Sequence, residues 1–180
     1  AVSAVGEATA KADILTPTLS VSYVNAALAV LNANLKAVQK AYIKDAAINA
    51  GGAVTVSSDF NKGYTDKGAT VNMGSMFGSS ASATISYYNA STNVANATSD
   101  STNHAYIEGA DINTNGLYDV AISADSTSIA KANIDQGSSL GYLSIGLPVM
   151  NALAKGDYRS FMDLKDVTVN VNNLNISNHY

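Results

Sequence analysis

The sequence predicts an all-β protein, a parallel β-solenoid built from about three degenerate repeats. Three observations carry that prediction: a stretch the chain writes out more than once, a two-residue parity shared by the copies, and Gly/Asn corners that follow each copy. Residues 19–49, LSVSYVNAALAVLNANLKAVQKAYIKDAAIN, return at 83–113 as ATISYYNASTNVANATSDSTNHAYIEGADIN, shifted by 64 positions without a gap. Ser22/Ser86, Tyr23/Tyr87, Asn25/Asn89, Val30/Val94, Asn32/Asn96, Ala33/Ala97, Tyr42/Tyr106, Ile43/Ile107 and Ile48/Ile112 are among the matches. A third, shortened copy begins at Leu143-Ser144-Ile145-Gly146-Leu147, and in it Leu164 and Val169 keep the five-residue spacing of Ile43 and Ile48. Fixed-period self-similarity is the mark of arrays in which each unit buries its apolar face on its neighbours.

From the N-terminus, Ala10-Lys11-Ala12-Asp13-Ile14 is matched by Ala130-Lys131-Ala132-Asn133-Ile134, so the unit is longer than its most visible part. The stretch 23–44 supports two readings. Leu28, Leu31, Leu35, Val38 and Tyr42 fall at helical spacing among many alanines. Its counterpart, Ser91 to Asn103, reads STNVANATSDSTN and has no helical apolar stripe. What both copies share is parity: Val21, Tyr23, Ala33, Ala37, Ala41 and Ile43 on one face, and Ile85, Tyr87, Ala97, Ala105 and Ile107 on the same face one copy later. Strand is therefore the preferred reading. Each copy then turns at Ala50-Gly51-Gly52, Asn115-Gly116 or Asn172-Asn173 into an alternating strand starting near Val54, Val120 or Leu174. Gly and Asn accept the positive φ such corners need. The Gly-rich segment 58–80 reads as a bulged coil or protruding loop in which Val71, Met73 and Phe77 help close the core.

A unit of roughly 60 residues fits two to three turns of a solenoid at roughly 20–30 residues each. Inward ladders are expected to place Ile43, Ile48, Val54 and Val56 over Ile107, Ile112, Val120 and Ile122, and these over Leu164, Val169, Leu174 and Ile176. The whole chain, 1–180, reads as one solenoid segment with repeat units at about 8–58, 59–123 and 124–177. Starting at Ala1 with a repeat near its beginning, it looks like a fragment of a much larger protein or a matured piece. Open ladder ends are a route to end-to-end self-association.

Composition narrows the function classes. The net charge is −4 with 10 basic and 14 acidic residues, so the basic footprint of a nucleic-acid binder is missing. Cysteine is absent, which removes disulfide and thiol chemistry.

Lys40-Ala41-Tyr42-Ile43, His104-Ala105-Tyr106-Ile107 and Ile48-Asn49-Ala50-Gly51-Gly52-Ala53-Val54-Thr55-Val56-Ser57 resemble passenger regions of very large secreted filamentous adhesins, especially leukotoxin-type filamentous adhesins exported by two-partner secretion. The resemblance spans most of residues 8–177. It implies a right-handed parallel β-helix, secretion or display on the bacterial cell surface, an outer-membrane secretion partner for the parent protein, and host-cell attachment or cytotoxicity. The shortened third copy and the 58–80 segment depart from the family pattern.

Candidate sites are few. No catalytic constellation stands out, and neither a catalytic, a cofactor-binding nor a metal-binding set is assigned. His104 replaces Lys40 at a position whose parity points outward, so it reads as a solvated surface residue. Asp111-Ile112-Asn113-Thr114-Asn115-Gly116-Leu117-Tyr118-Asp119 has oxygen ligands at alternate positions before a Gly, as a calcium loop opens, but Ile122 stands where a bidentate Glu is expected; a plain Asn-Gly corner is the preferred reading. Asn89, Asn96 and Asn175 head glycosylation patterns that such a composition produces freely. Tyr42, Tyr106, Tyr87 and Tyr88 read either as residues resting against neighbouring corners or as an exposed aromatic strip for a glycan or receptor. The function expected is a structural and adhesive segment; a glycan- or receptor-binding module, or a carbohydrate-active enzyme on the same scaffold, are the alternatives.

Overall fold

The computed structural model describes residues 1–14, 18–73, 82–134, 138–140 and 142–180. These residues form β-strands and, among them, no helix, which settles the 23–44 stretch as strand. A first circuit runs through β1 (Val2–Gly6), β2 (Ala10–Ile14), β3 (Thr18–Leu35), β4 (Val38–Lys44) and β5 (Ala47–Asn49). A second follows as β6 (Val54–Phe60), β7 (Ala69–Met73), β8 (Ser82–Glu108) and β9 (Asp111–Asn113). The third comprises β10 (Val120–Ser126), β11 (Ala130–Ile134), β12 (Ser138–Leu140), β13 (Leu143–Asp163) and β14 (Val169–Asn170), after which β15 (Leu174–His179) returns to the first sheet.

Four parallel sheets result: β1-β6-β10-β15, β2-β7-β11, a sheet with β8 between β3/β4 and β12/β13, and β5-β9-β14. Each repeat unit is thus one pass through all four sheets. The expected two to three turns per unit is corrected here, because β8 runs for 27 residues without a corner. Register follows the sequence repeat: Tyr42 pairs with Tyr106 and Ile43 with Ile107, at the 64-residue offset. Val54, Val120 and Leu174 form one column, and Val56, Ile122 and Ile176 the next, in the register the ladders predicted, but Leu174 and Ile176 on the outermost strand are exposed by 38% and 46% rather than buried. Ile48, Ile112 and Val169 stack likewise. One column is corrected: Met162, not Leu164, stands beside Ile107. Residues 164–168 form a longer corner than the second circuit has between Glu108 and Asp111, which displaces Leu164 from the ladder. The third copy also starts differently, with Leu143 beside Tyr88 rather than Ala83.

Two apolar clusters make the core. One joins the first sheet (Val54, Val56, Val120, Ile122, Ala124) to the end of the long sheet (Ala41, Ala105, Ile107) and to Ile112. The other joins β7 (Ala69, Val71, Met73) and Phe60 to Ala33, Leu35, Ala95 and Ala97. Val71 and Met73 therefore close the core as expected; Phe77 lies outside the described residues. The segment holding them is also part of the repeat, since Ala69 pairs with both Ala10 and Ala130.

Between the clusters runs a polar seam of Ser58, Ser99, Ser101, Asn103 and Ser126, all buried. The Asn103 amide donates to Ser58 O at 2.9 Å, Asp125 O at 2.9 Å and Ser126 Oγ at 2.8 Å, and its Oδ1 accepts from Ser58 Oγ. One circuit earlier, Gln39 donates to Ala4 O at 3.0 Å and Asp59 O at 2.9 Å. These amides staple two sheets together at the point where a β-ladder cannot, and satisfying them offsets the cost of burying polar atoms. In the third circuit the staple position is Tyr158, which pairs with Asn103 and folds over Gly156. A Cβ at residue 156 would lie 2.2 Å from the Tyr158 ring.

Candidate binding surface

The third sheet is longer than the sheets it packs on. Its C-terminal part, from about Ala29 in β3 and Ala95 in β8, faces β6, β7 and β10, and its odd-numbered residues from Ala95 to Ile107 are buried. The N-terminal part projects as a three-stranded lip. There the expectation that Val21, Tyr23, Ile85 and Tyr87 share the buried face of Ala33 and Ile43 fails: they are exposed by 73%, 69%, 47% and 43%. The alternation breaks at Tyr87-Tyr88, whose rings meet at 4.8 Å on one side of the strand, so that Ser86 and Asn89 are the buried residues on either side of the break and Ile85 and Tyr87 are turned to solvent.

Apolar side chains crowd this lip. Val24, Leu28 and Val30 are exposed on β3, Tyr88 on β8, and Leu143, Ile145, Leu147 and Val149 on β13. Residues 18–35, 82–99 and 142–154 contain no Asp, Glu, Lys or Arg. The first charges form a row at its base, where Lys155 Nζ meets Asp100 Oδ2 at 3.1 Å.

Parallel in-register pairing forces like rings together at about the 4.8 Å strand spacing. Tyr23 and Tyr87 stack with centroids 5.3 Å apart, Tyr87 and Tyr142 at 5.1 Å, each pair within 4° of coplanar. Tyr88 meets Tyr87 edge-on at 4.8 Å. A second column, Tyr42, Tyr106 and Phe161, stacks at 5.2 and 4.9 Å. These tyrosines rest on one another along the ladders, with Tyr42, Tyr87 and Tyr88 exposed and Tyr106 half-buried between Tyr42 and Phe161. Rings with hydroxyl tips suit amphipathic partners such as sugars or protein loops, giving apolar contact and a hydrogen bond together.

His104 is not freely solvated. Its side chain is 14% exposed, with Nε2 3.1 Å from Asp157 Oδ2, because β13 lays Asp157 and Arg159 beside it. Burial pushes the Asp157 carboxyl up, but the Arg159 guanidinium, 2.5 Å away, and the His104 imidazole outweigh it and hold the carboxyl below its ordinary value. A cleft of about 550 Å³ opens above this cluster, lined in part by Lys155, Tyr158, Arg159 and Tyr180.

In the 111–119 corner the oxygens read as ligands serve as acceptors for neighbouring strands. Asp111 Oδ1 accepts from Thr168 N at 2.7 Å, Asn113 Oδ1 from Asn170 Nδ2 at 3.0 Å and Asn115 N at 2.9 Å, and Asp119 Oδ1 from Asn172 and Asn173 at 2.9 Å. Asn115 and Gly116 take φ of 56° and 68°, the geometry of an Asn-Gly corner. No cluster of three His, Asp or Glu side chains able to hold a metal occurs among the described residues. Of the glycosylation patterns, Asn89 is buried and bonded to Asn25 at 3.0 Å.

Sequence reasoning missed the lip. Its signal was present in the run from Gly68 to Ser99, which carries no charge, but a charge-free run reads equally as core. No family model, no curated protein and no solved structure matches the chain.

Proposed function

We propose that this chain is a structural and adhesive segment of a large secreted bacterial filamentous adhesin of the leukotoxin type, folded as a right-handed parallel β-helix, and that its lip attaches the parent to host cells. The observation that carries the reading is the charge-free lip with its tyrosine column. Contiguous exposed apolar area on this scale is what interaction sites carry, and monomeric surfaces rarely do. The repeated pass through parallel sheets supports the β-helical part, since such a shaft grows by adding circuits and holds its surface away from its anchor. The partner is a host-cell surface protein or glycan, and the parent reaches the bacterial surface through an outer-membrane secretion partner.

Flow cytometry of labelled chain on leukocytes and epithelial cells tests the reading. Saturable binding is expected, with most of it lost in a Tyr23→Ser/Tyr87→Ser/Tyr142→Ser variant that keeps its β circular dichroism. Pretreating cells with glycosidase or with protease assigns the receptor to glycan or protein. Absence of saturable binding on either cell type would refute it.

A further inference from the structure

The long sheet carries a second distinctive band at the end opposite the lip. From Ala95 to Ile107 the odd-numbered residues of β8 are buried, so the even-numbered ones face outward, and parallel register lines them up with their partners in β4 and β13. Lys40, His104 and Arg159 form one outward column, and Tyr42, Tyr106 and Phe161 the next, two residues further along each strand. We infer that these two columns are a binding site for an acidic polysaccharide whose carboxylates recur on alternate sugars. The inference rests on the adhesive reading only for the source of that ligand, a host-cell surface, and it uses no residue of the lip.

The band is lateral. It runs along the stacking direction of the circuits, so a further circuit extends it and does not cover it. Lys40 is exposed, and none of the ion pairs among the described residues includes it. Arg159, its side chain 63% exposed, gives its Nε–H to Asp157 and keeps its terminal N–H groups for a ligand. His104 lies between them. Two permanent cations and an imidazole thus face one carboxylate, Asp157, on a chain whose net charge is −4.

Geometry narrows the anion. Lys40 and Arg159 are two strand spacings apart, about 10 Å, the span of roughly one disaccharide. A guanidinium fork matches a planar carboxylate with parallel hydrogen bonds. The aromatic column limits how a sugar rests here. Tyr106 is stacked between Tyr42 at 5.2 Å and Phe161 at 4.9 Å, so its faces are covered and the column presents ring edges and hydroxyls. Edges carry the positive rim of the ring and hydroxyls donate and accept, which suits a chain of hydroxyls and carboxylates better than the apolar face of a neutral sugar. The aliphatic rows of the lip, which a bilayer contact needs beside its cations, lie beyond the Asn32, Asn96 and Asn151 row.

His104 makes the site sensitive to pH. The groups around it are Lys40 and Tyr42 on β4, Asp157 and Arg159 on β13, and Asp100, Tyr106 and Glu108 on its own strand. Protonation adds a third cation at the centre of the column, so carboxylate binding tightens on acidification through the ordinary imidazole range.

Calorimetric titration of the intact chain with a hyaluronan decasaccharide, which bears one carboxylate per disaccharide and no sulfate, tests the inference; heparin fragments, polyglutamate and neutral dextran are the comparison probes. Expected is saturable hyaluronan binding that weakens with added salt and tightens on acidification, weaker binding of heparin and polyglutamate, and none of dextran. Lys40→Gln/Arg159→Gln should keep the melting temperature and lose roughly tenfold or more in affinity. Lys131→Gln/Lys165→Gln, the same charge change on other parts of the surface, should change affinity by less than about twofold. His104→Gln should remove the pH dependence. No hyaluronan binding, tighter binding of heparin or polyglutamate, or indifference to Lys40→Gln/Arg159→Gln overturns the inference; saturable cell binding that persists in any of those cases leaves the adhesive reading standing.

Discussion

β8 contains two regions that sequence makes hard to tell apart. Its first half carries the exposed Ile85, Tyr87 and Tyr88, with only Ser86 and Asn89 buried among them; the odd-numbered residues of its second half, Ala95, Ala97, Ser99, Ser101, Asn103 and Ala105, are all buried. Larger apolar side chains lie outside and smaller, partly polar ones inside. What separates the halves is the opposing layer: β6, β7 and β10 pack against the second half, whose buried face from Ala95 to Ala105 carries small side chains and one asparagine before Ile107. Burial in this molecule follows from what another sheet covers, and side-chain size then adapts to the gap.

The sharpest way to break this comparison uses two leucines of one strand. Leu35→Ala should cost about 2–5 kcal/mol in urea denaturation because Leu35 is 7% exposed in the second cluster. Leu28→Ala, at 71% exposed, should stay within about 0.5 kcal/mol. Equal losses would mean the lip is packed. Next in size is Asn103→Ala, which strands the seam carbonyls of Ser58 and Asp125 at a cost on the order of 3 kcal/mol. Ala105→Leu overfills the gap beside Ile107 and should cost about 1–3 kcal/mol, while Thr55→Lys, outward on β6, should leave the melting temperature in place. The smallest effect is electrostatic. Hydrogen bonds from Tyr64 and Lys67 hold the Glu7 carboxyl below its ordinary value, and Lys11 does so for Asp13. A depressed folded-state value contributes stability above the ordinary range near 4, lost as pH falls through the folded values. Melting temperature should therefore drop slightly below about pH 4, and less in Asp13→Asn.

Much of this fold was legible because a parallel sheet writes its register into the sequence. Tyr42, Tyr106 and Ile43, Ile107 announced their pairing through the 64-residue offset. Val54, Val120 and Leu174 did so through the corners before them. The third circuit was harder to read. Its corner between Asp163 and Val169 differs in length, so the spacing of Leu164 and Val169 matched Ile43 and Ile48 by coincidence. Parity also misled at Val21 and Tyr23, since strict two-residue alternation cannot show the break at Tyr87-Tyr88, after which the buried face passes from even-numbered to odd-numbered residues. The His104 and Asp157 contact joins two circuits whose sequences are unlike there, leaving no repeat to reveal it.

The long offsets between partners also govern how the chain reaches this state. Pairings run from Val2 with Val56 to Val54 with Val120, and among the described strands none pairs with its successor along the chain. No hairpin is available to nucleate order, so loop closure over nearly a whole circuit must precede the first reward. The first circuit therefore waits for β8, on which both flanking strands are templated, and folding should be slow and cooperative over at least two circuits. During that delay the charge-free segments are open to non-native collapse, and dilute refolding should recover more material than concentrated refolding.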